Sequence, residues 1–259
     1  MAAYQLEQKD RLGILSLQAG GANALNYHVL EALAEGVKQA QALQLKGLVL
    51  TGYARFFSAG LDLITVYDYD RRQMARFMED FDVALQKFFA LPMPVVAAIN
   101  GAATAGGGVL ALACDYRLMA EGEAVIGLNE IRLGLPLPAS ALEIARYAIP
   151  NCHHTFVFYT GKLFDAPEAQ RLGLVHETVA AEKLLETALA RLYEFVNHPG
   201  KPHATLKTTL RGAVLERMIK SAGAMREAFL EAWFNPEARH TIGEIRNKLL
   251  AKKVARRKE

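Results

Sequence analysis

The sequence predicts an α/β fold with mainly parallel strands and a predominantly helical carboxy-terminal region. Short, continuously apolar segments bounded by glycine or proline alternate with longer segments that repeat apolar residues every three or four positions. The first pattern is typical of strands covered on both faces, and the second of amphipathic helices. After about residue 140 the strand pattern fades. Such alternation implies right-handed crossovers and a parallel sheet.

The expected elements follow one another along the chain. Leu12–Leu17 is the first expected strand, and the helix after it covers Tyr27–Ala42, where Val29, Leu30 and Leu33 set the periodicity. Further strands are expected at 47–52, 95–99 and 116–120, with a helix at 70–91 and later helices at 141–148, 155–160, 166–172, 181–196 and 213–233.

No repeat or low-complexity linker separates the two parts of the chain. We divide it into an α/β core, residues 1–195, and a helical carboxy-terminal region, residues 196–259, that leans on the core or on a neighbouring subunit.

Composition is that of an ordinary globular protein. The chain has 259 residues, 52% of them hydrophobic and 22% charged, which allows a large core. The net charge of +3 is too small to argue for a nucleic-acid partner, although basic residues gather between Lys248 and Lys258. Two cysteines favour a reducing compartment. No apolar run is long enough to span a membrane, and the amino terminus lacks a signal or transit pattern, so we expect a cytoplasmic protein.

A glycine-rich turn at residues 100–115 is the most informative segment. It follows an apolar strand and opens a helix with three consecutive glycines, Gly106 to Gly108, which are poor helix formers. Such a helix start offers bare N–H groups to a ligand oxygen. One interpretation is a pocket for a developing oxyanion, and the other is close packing of the helix on the sheet.

A second glycine turn, residues 55–63, follows the strand that ends at Thr51. Ligands gather at the carboxyl ends of strands in open α/β sheets, and both turns are expected there. One N–H donor from each turn could then converge on one oxygen. Paired donors of this kind stabilise enolates and tetrahedral intermediates.

With these turns the chain resembles the crotonase superfamily of enoyl-CoA hydratases and isomerases. The resemblance rests on four segments, 57–63, 100–115, 126–134 and 160–175, which stand in the family's order, and it covers about residues 10–240. It implies a crotonase-like ββα spiral core, a helical trimerisation region, and a homotrimer or hexamer. Within the superfamily the chain is most similar to the Δ3,Δ2-enoyl-CoA isomerases, because it carries Ser-Ala-Gly-Leu-Asp-Leu at 58–63 and Ile-Gly-Leu-Asn-Glu at 126–130.

The resemblance also implies the site residues. The oxyanion donors would be the amides of Leu61 and Gly106, and the acid/base carboxylate would be Glu130. The substrate would be an acyl-CoA thioester, with no separate cofactor and no metal. Further substrate contacts are expected from Arg55, Ala59, Gly60, Asp62, Leu63, Gly107 and Asn129.

Two departures from the family pattern favour one reaction. Hydratases of the family use two glutamates, and the first of these positions is Val109 here; dienoyl isomerases carry an aspartate where this chain has Pro138. A double-bond shift needs a single base, so the expected reaction moves a 3-enoyl-CoA double bond to the 2-trans position. Hydration is the second interpretation, hydrolysis or another enolate reaction the third, and a non-catalytic RNA-binding member a distant one.

Several residues allow a purely structural role as well as a functional one. Asp62 suits a helix N-cap, and Arg55 is either a ligand for CoA phosphates or a solvated charge. Asn129 either orients the base or contacts the thioester. Glu143 is either a surface charge or a second carboxylate in the pocket. Adjacent His153 and His154 would point apart on a helix, and Phe229, Trp233 and Phe234 share a helical face for packing, although the resemblance allows Phe234 to approach a neighbour's adenine.

Overall fold

A computed structural model describes residues 3–20 and 22–255. The strands, in chain order, are β1 (Tyr4–Lys9), β2 (Leu12–Leu17), β3 (Gly47–Thr51), β4 (Phe56–Ser58), β5 (Val95–Ile99), β6 (Ala102–Thr104), β7 (Tyr116–Ala120), β8 (Ile126–Gly127) and β9 (Glu177–Val179). The α-helices are α1 (Tyr27–Ala42), α2 (Leu63–Val66), α3 (Arg71–Phe89), α4 (Gly106–Leu112), α5 (Ala139–Ala148), α6 (His154–Thr160), α7 (Ala166–Arg171), α8 (Leu184–Val196), α9 (Pro202–Trp233) and α10 (Pro236–Ala255).

The larger sheet has six strands in the order β1-β2-β3-β5-β7-β9. Only the β1–β2 pair is antiparallel, and every other neighbouring pair is parallel. All residues of β3 and β5 are buried, which explains their continuous apolar sequences. The predicted α/β class with mainly parallel strands is confirmed.

A second sheet of three short strands, in the order β4-β6-β8, is also parallel. Its strands have three, three and two residues. Each short strand begins a few residues after a strand of the main sheet, β3, β5 or β7, ends. The chain therefore passes from the main sheet into the small sheet before it forms the next helix. This small sheet carries the candidate site.

Helices α1 and α3 begin at side chains that cap them. The Asn26 side chain accepts a hydrogen bond from the Val29 amide, and Asp70 forms a reciprocal capping box with Gln73. Helix α3 buries an apolar stripe that includes Phe77 and Phe81, whereas every residue of the glycine-initiated α4 is buried. Helix α4 is therefore surrounded by the rest of the core on every side.

Two buried cations attach α9 to the core. Lys207 Nζ lies 2.7 Å from one carboxylate oxygen of Asp115, and Arg211 Nη2 lies 2.8 Å from the other. Asp115 also accepts a hydrogen bond from the Val95 amide at the start of β5. The boundary drawn at residue 195 falls in the last turn of α8 and stays a prediction.

The structure corrects the element assignments in five places. Strands β1 and β9, the small second sheet and the length of α9 were not expected, and α10 adds a further helix. Strand β9 lies at residues 177–179, inside the region expected to be helical. Part of the basic tail, residues 256–259, lies outside the described residues. Among helices within the described ranges, none combines the length and apolarity needed to cross a membrane.

Candidate active site

Three turns leave the carboxyl ends of the three neighbouring strands β4, β6 and β8. The first turn, residues 59–66, follows β4 and contains α2; the second turn, residues 105–108, follows β6 and begins α4; the third, residues 128–130, follows β8. Because parallel strands end at the same edge of their sheet, the three turns lie side by side. The two glycine turns were expected directly after strands of the main sheet; in the structure they follow the short strands β4 and β6 instead.

The first turn leaves one main-chain amide free. The amides of Ala59 and Asp62 each donate to a carbonyl of residues 22–25 at 3.0 Å. The other amides of the turn, except that of Leu61, donate to oxygens of residues 58–62. Among the described residues, the Leu61 amide has no acceptor. A backbone donor left without a partner in an otherwise bonded turn is available to a ligand.

The second turn presents the first amides of α4. Ala105 precedes the helix with φ +50° and ψ −128°, a conformation that non-glycine residues rarely adopt. Its own amide donates to the Gly127 carbonyl at 2.9 Å, while the Gly106 amide donates to no acceptor within residues 3–20 and 22–255. The strained residue therefore turns the chain so that Gly106 begins the helix with its donor free.

The two turns touch at their glycines. Gly60 has φ +77°, and a Cβ added to it would lie 3.1 Å from the Gly106 amide nitrogen. A Cβ on Gly107 would lie 2.0 Å from the Ser58 carbonyl oxygen. Close packing thus explains Gly107, whereas the interpretation of Gly106 as an oxyanion donor stays a prediction.

Glu130, on the third turn, supplies a buried carboxyl group. It begins a 3₁₀ helix, Glu130–Leu133, is 9% exposed, and its Oε2 has no hydrogen-bond partner among the described residues. Burial raises the pKa of Glu130 from 4.5 to about 7, and a hydrogen bond from its own amide opposes the rise only in part. Of the apolar residues that flank it in the chain, Leu128 is buried, whereas Ile131 is 45% exposed.

The other buried carboxylates are already occupied. Glu143 accepts hydrogen bonds from Arg146 at 2.8 Å and from Arg217 at 2.6 Å, so it is neither the surface charge nor the free carboxylate considered from sequence. Asp82 accepts a hydrogen bond from the Ser140 amide at 3.0 Å. Among the described carboxylates, only Glu130 has a carboxyl oxygen that is fully inaccessible to solvent and lacks a hydrogen-bond partner.

The capping role of Asp62 is confirmed. Its carboxylate accepts from the Ile64 and Thr65 amides at the start of α2 and from the Asn26 side chain at 2.9 Å. Leu63, the next residue, is buried in the core. The substrate contacts expected of Asp62 and Leu63 stay predictions.

Two polar residues expected to contact substrate, Asn129 and Arg55, lie in different surroundings. Asn129 precedes the carboxyl residue, and its Oδ1 is buried without a partner within the described ranges. Arg55 lies at the opposite, amino end of β4, is 80% exposed, and pairs with Glu123 at 3.0 Å. Both roles considered for Arg55 remain predictions.

The histidine pair is divided between two elements. His153 ends a 3₁₀ helix, and His154 begins α6 with its Nε2 2.9 Å from the Ile149 carbonyl oxygen. Within the part of the chain that the structure describes, no three potential His, Cys, Asp or Glu ligands come together around a metal position.

Sequence analysis missed the residues that hold the first turn. Asn23 is buried, and its side-chain amide donates to the Leu17 and Phe57 carbonyls at 2.9 and 3.2 Å. Ser58 Oγ donates to the Asn23 carbonyl at 2.8 Å. An asparagine in a turn-rich segment was the available signal, because asparagine side chains often bond to nearby backbone.

The chain is similar to known enzymes over most of its length. The family described as enoyl-CoA hydratase/isomerase matches residues 8–243. The mouse mitochondrial enoyl-CoA delta isomerase 1 is 30% identical over 219 residues, which cover 82% of this chain and 75% of that protein. A Mycobacterium tuberculosis protein named "Probable enoyl-CoA hydratase echA8" is 35% identical over 188 residues, covering 71% of this chain and 72% of that protein.

Solved structures agree with the fold. The crystal structure of human mitochondrial Δ3-Δ2-enoyl-CoA isomerase aligns with a TM-score of 0.89 at 25% identity, covering 97% of this chain and 99% of that chain. The fold is therefore the crotonase fold expected from the motifs. Given the family match and these relatives, the chain belongs to the enoyl-CoA hydratase/isomerase family.

Proposed function

We propose that the protein is an enoyl-CoA isomerase that converts a 3-enoyl-CoA thioester into its 2-trans isomer. The observation that carries the proposal is the fully buried, unpartnered Glu130 Oε2 on one of three neighbouring turns, the other two of which each present a main-chain amide without an acceptor among the described residues. A double-bond shift requires one group that takes a proton from C2 and returns one to C4. It consumes no water and needs no second acid or base.

The proposed reaction has two steps. The thioester carbonyl oxygen accepts hydrogen bonds from the amides of Leu61 and Gly106, and the Glu130 carboxylate removes a C2 proton. The negative charge spreads into a dienolate whose oxygen the two amides stabilise, each donor contributing on the order of 3 kcal/mol. The protonated carboxyl then delivers its proton to C4, and the carbonyl re-forms.

The pKa of Glu130, about 7, suits both steps. A base of this strength is largely ionised just above neutral pH, yet its conjugate acid still protonates carbon readily. Coenzyme A enters as part of the substrate, and the resemblance supports Arg55, Ala59, Gly60, Asp62, Leu63, Gly107 and Asn129 as the residues around it.

Hydration of a 2-enoyl-CoA is the second candidate, because relatives named as hydratases match at 33–36% identity. Against it stands Val109, fully buried at the position where the family's hydratases carry their first glutamate. One carboxyl is poorly equipped to activate water and to protonate carbon in the same turnover.

One assay separates the two reactions. A 3-enoyl-CoA substrate gains the ultraviolet absorbance of the conjugated thioester if the protein is an isomerase, whereas a 2-enoyl-CoA substrate loses it if the protein is a hydratase. We expect the gain only, and expect Glu130→Gln to abolish it. The matched control is Glu143→Gln, which alters an equally buried but paired carboxylate and should retain the activity. The proposal would be contradicted if the absorbance of the 2-enoyl substrate fell faster than the absorbance of the 3-enoyl substrate rose.

We also propose self-association into trimers or hexamers, in line with the family resemblance. Exposed apolar side chains on α9 support it, since Leu206, Leu210 and Ile219 are each more than half exposed in the single chain. Light scattering coupled to size-exclusion chromatography tests this, and a monomer at micromolar concentration would contradict it.

A further inference from the structure

Helix α10 contacts both halves of the candidate site. It packs on α2, which directly follows the Leu61 amide, and on the 3₁₀ helix that begins with Glu130. At the end of that 3₁₀ helix, a Cβ added to Gly134 would lie 3.5 Å from the Cβ of Ala238 in α10. One rigid helix therefore spans the donor side and the carboxyl side of the site.

Tyr67, the residue after α2, is enclosed by one face of α10. That face consists of Arg239, Gly243 and Arg246, which stand at helical spacings of four and three; we name these residues the Tyr67 seat. Gly243 provides the room, because a Cβ there would lie 2.9 Å from Tyr67 Oη. Arg246 lies 4.8 Å from the Tyr67 ring centroid and pairs with Asp68.

Arg239 makes the strongest contacts of the seat. Its guanidinium carbon lies 3.6 Å from the Tyr67 ring centroid, and its Nη1 donates to the Tyr67 carbonyl at 3.0 Å. The Tyr67 hydroxyl donates in return to the Arg239 carbonyl at 3.4 Å. The rings of Trp233 and Phe234 lie 5.9 Å from the same guanidinium. The planar guanidinium of Arg239 thus contacts both the ring and the backbone of Tyr67.

Helix α2 depends on such contacts because it has only four residues. An isolated helix of one turn is unstable, since it pays the cost of nucleation for very few hydrogen bonds. The Asp62 side chain caps the amino end of α2, and the hydrogen bond from Arg239 to the Tyr67 carbonyl anchors its carboxyl end. The free amide of Leu61 sits immediately before this short segment, so a shift of the segment moves that donor.

We propose that Arg239 is a positioning residue that holds α2, and with it the Leu61 amide, at a fixed place relative to Glu130. The proposal rests on the isomerase function proposed above for its kinetic test. Arg239 itself touches no reacting atom in this account. Its effect is transmitted through Tyr67.

The test compares Arg239→Met with Arg191→Met. Arg191 also joins distant elements, through a 3.0 Å ion pair with Glu177, but lies away from the site and serves as the control. We expect Arg239→Met to lower kcat by about tenfold or more with little change in KM, because small misplacements of catalytic groups are costly. We also expect the midpoint of its pH–rate profile to move to lower pH, because loosening α10 lets water reach Glu130. Arg191→Met should change neither quantity.

A second measurement does not depend on turnover. Hydrogen exchange of a peptide spanning residues 59–67, followed by mass spectrometry, should be faster in Arg239→Met than in the parent and unchanged in Arg191→Met. If Arg239→Met does not fold, Arg239→Lys keeps the charge but loses the planar fork, and should show the same changes in smaller measure.

The double variant with Tyr67→Leu tests the route of the effect. If Arg239 acts through Tyr67, removing both side chains should cost no more than removing one. Parent-like kcat, pH midpoint and exchange in Arg239→Met would overturn the positioning role. A parent that exchanges as expected but turns over no enoyl-CoA would instead contradict the proposed function alone.

Discussion

Replacing Glu130 with glutamine should stabilise the folded protein at alkaline pH while it removes activity. Burial raises the pKa of this carboxyl from 4.5 to about 7, so between these values the folded protein holds a proton that the unfolded chain has released. Stability therefore falls as the pH rises through this window and stays low above it. The difference between the two values corresponds to about 3 kcal/mol.

Glutamine keeps the shape of the side chain but does not titrate. All other groups are shared by the two proteins, so the difference in their free energies of unfolding isolates Glu130. We expect this difference, variant minus parent, to grow by about 3 kcal/mol between pH 4.5 and pH 8 in favour of the variant. Urea titrations followed by circular dichroism measure it, at one protein concentration because association would shift both curves.

The matched control again is Glu143→Gln. Glu143 is as buried as Glu130, but it pairs with Arg146 and Arg217. Its replacement should lower the free energy of unfolding, because both arginines lose a charged partner. A stability difference for Glu130→Gln that does not change with pH would refute the claim that burial alone shifts the carboxyl, and with it the argument for a base tuned to neutral pH.

Three further predictions concern the turns and the pH profile. The kcat/KM of isomerisation should rise with pH around a midpoint near 7, because only ionised Glu130 can take the C2 proton, and a flat profile between pH 6 and 8 would contradict this. Gly107→Ala should abolish soluble expression, because its Cβ would lie 2.0 Å from a backbone oxygen. Gly106→Ala should fold, because its Cβ would meet only the flexible end of the Leu25 side chain, at 2.9 Å. Equal amounts of soluble protein from the two variants would show that the turn deforms more easily than its packing suggests. Ala105→Gly should raise the free energy of unfolding by about 1 kcal/mol in thermal or urea denaturation by relieving its positive φ, and a decrease would argue against strain there.

The long elements and the family were predictable because their signals are local. The bounds predicted for α1 and for β2 match the structure, since each carries an uninterrupted periodic or apolar pattern. The second sheet was not predictable from periodicity. Strands of two or three residues, such as β8, are too short to display an alternation, and their pairing joins segments far apart in the chain.

The candidate site residues were taken from the resemblance and stay predictions, whereas the contacts that support them could not be predicted. Leu61, Gly106 and Glu130 were named through the resemblance, and the structure sets them on adjacent turns. The strain at Ala105 and the contact between Arg239 and Tyr67 leave no sequence pattern, because the first is a backbone angle and the second joins residues 172 positions apart. Such contacts arise only when the tertiary structure is complete.

Donors that belong to the peptide backbone have an evolutionary consequence. Any substitution at position 61 other than proline exchanges the side chain and leaves the N–H in place, so the proposed carbonyl-binding donor persists through most local sequence drift. Carboxyl groups, in contrast, appear or vanish with one codon. If the proposed function is right, such a scaffold can acquire a new reaction by gaining or losing a single acid while its binding of the thioester carbonyl is preserved.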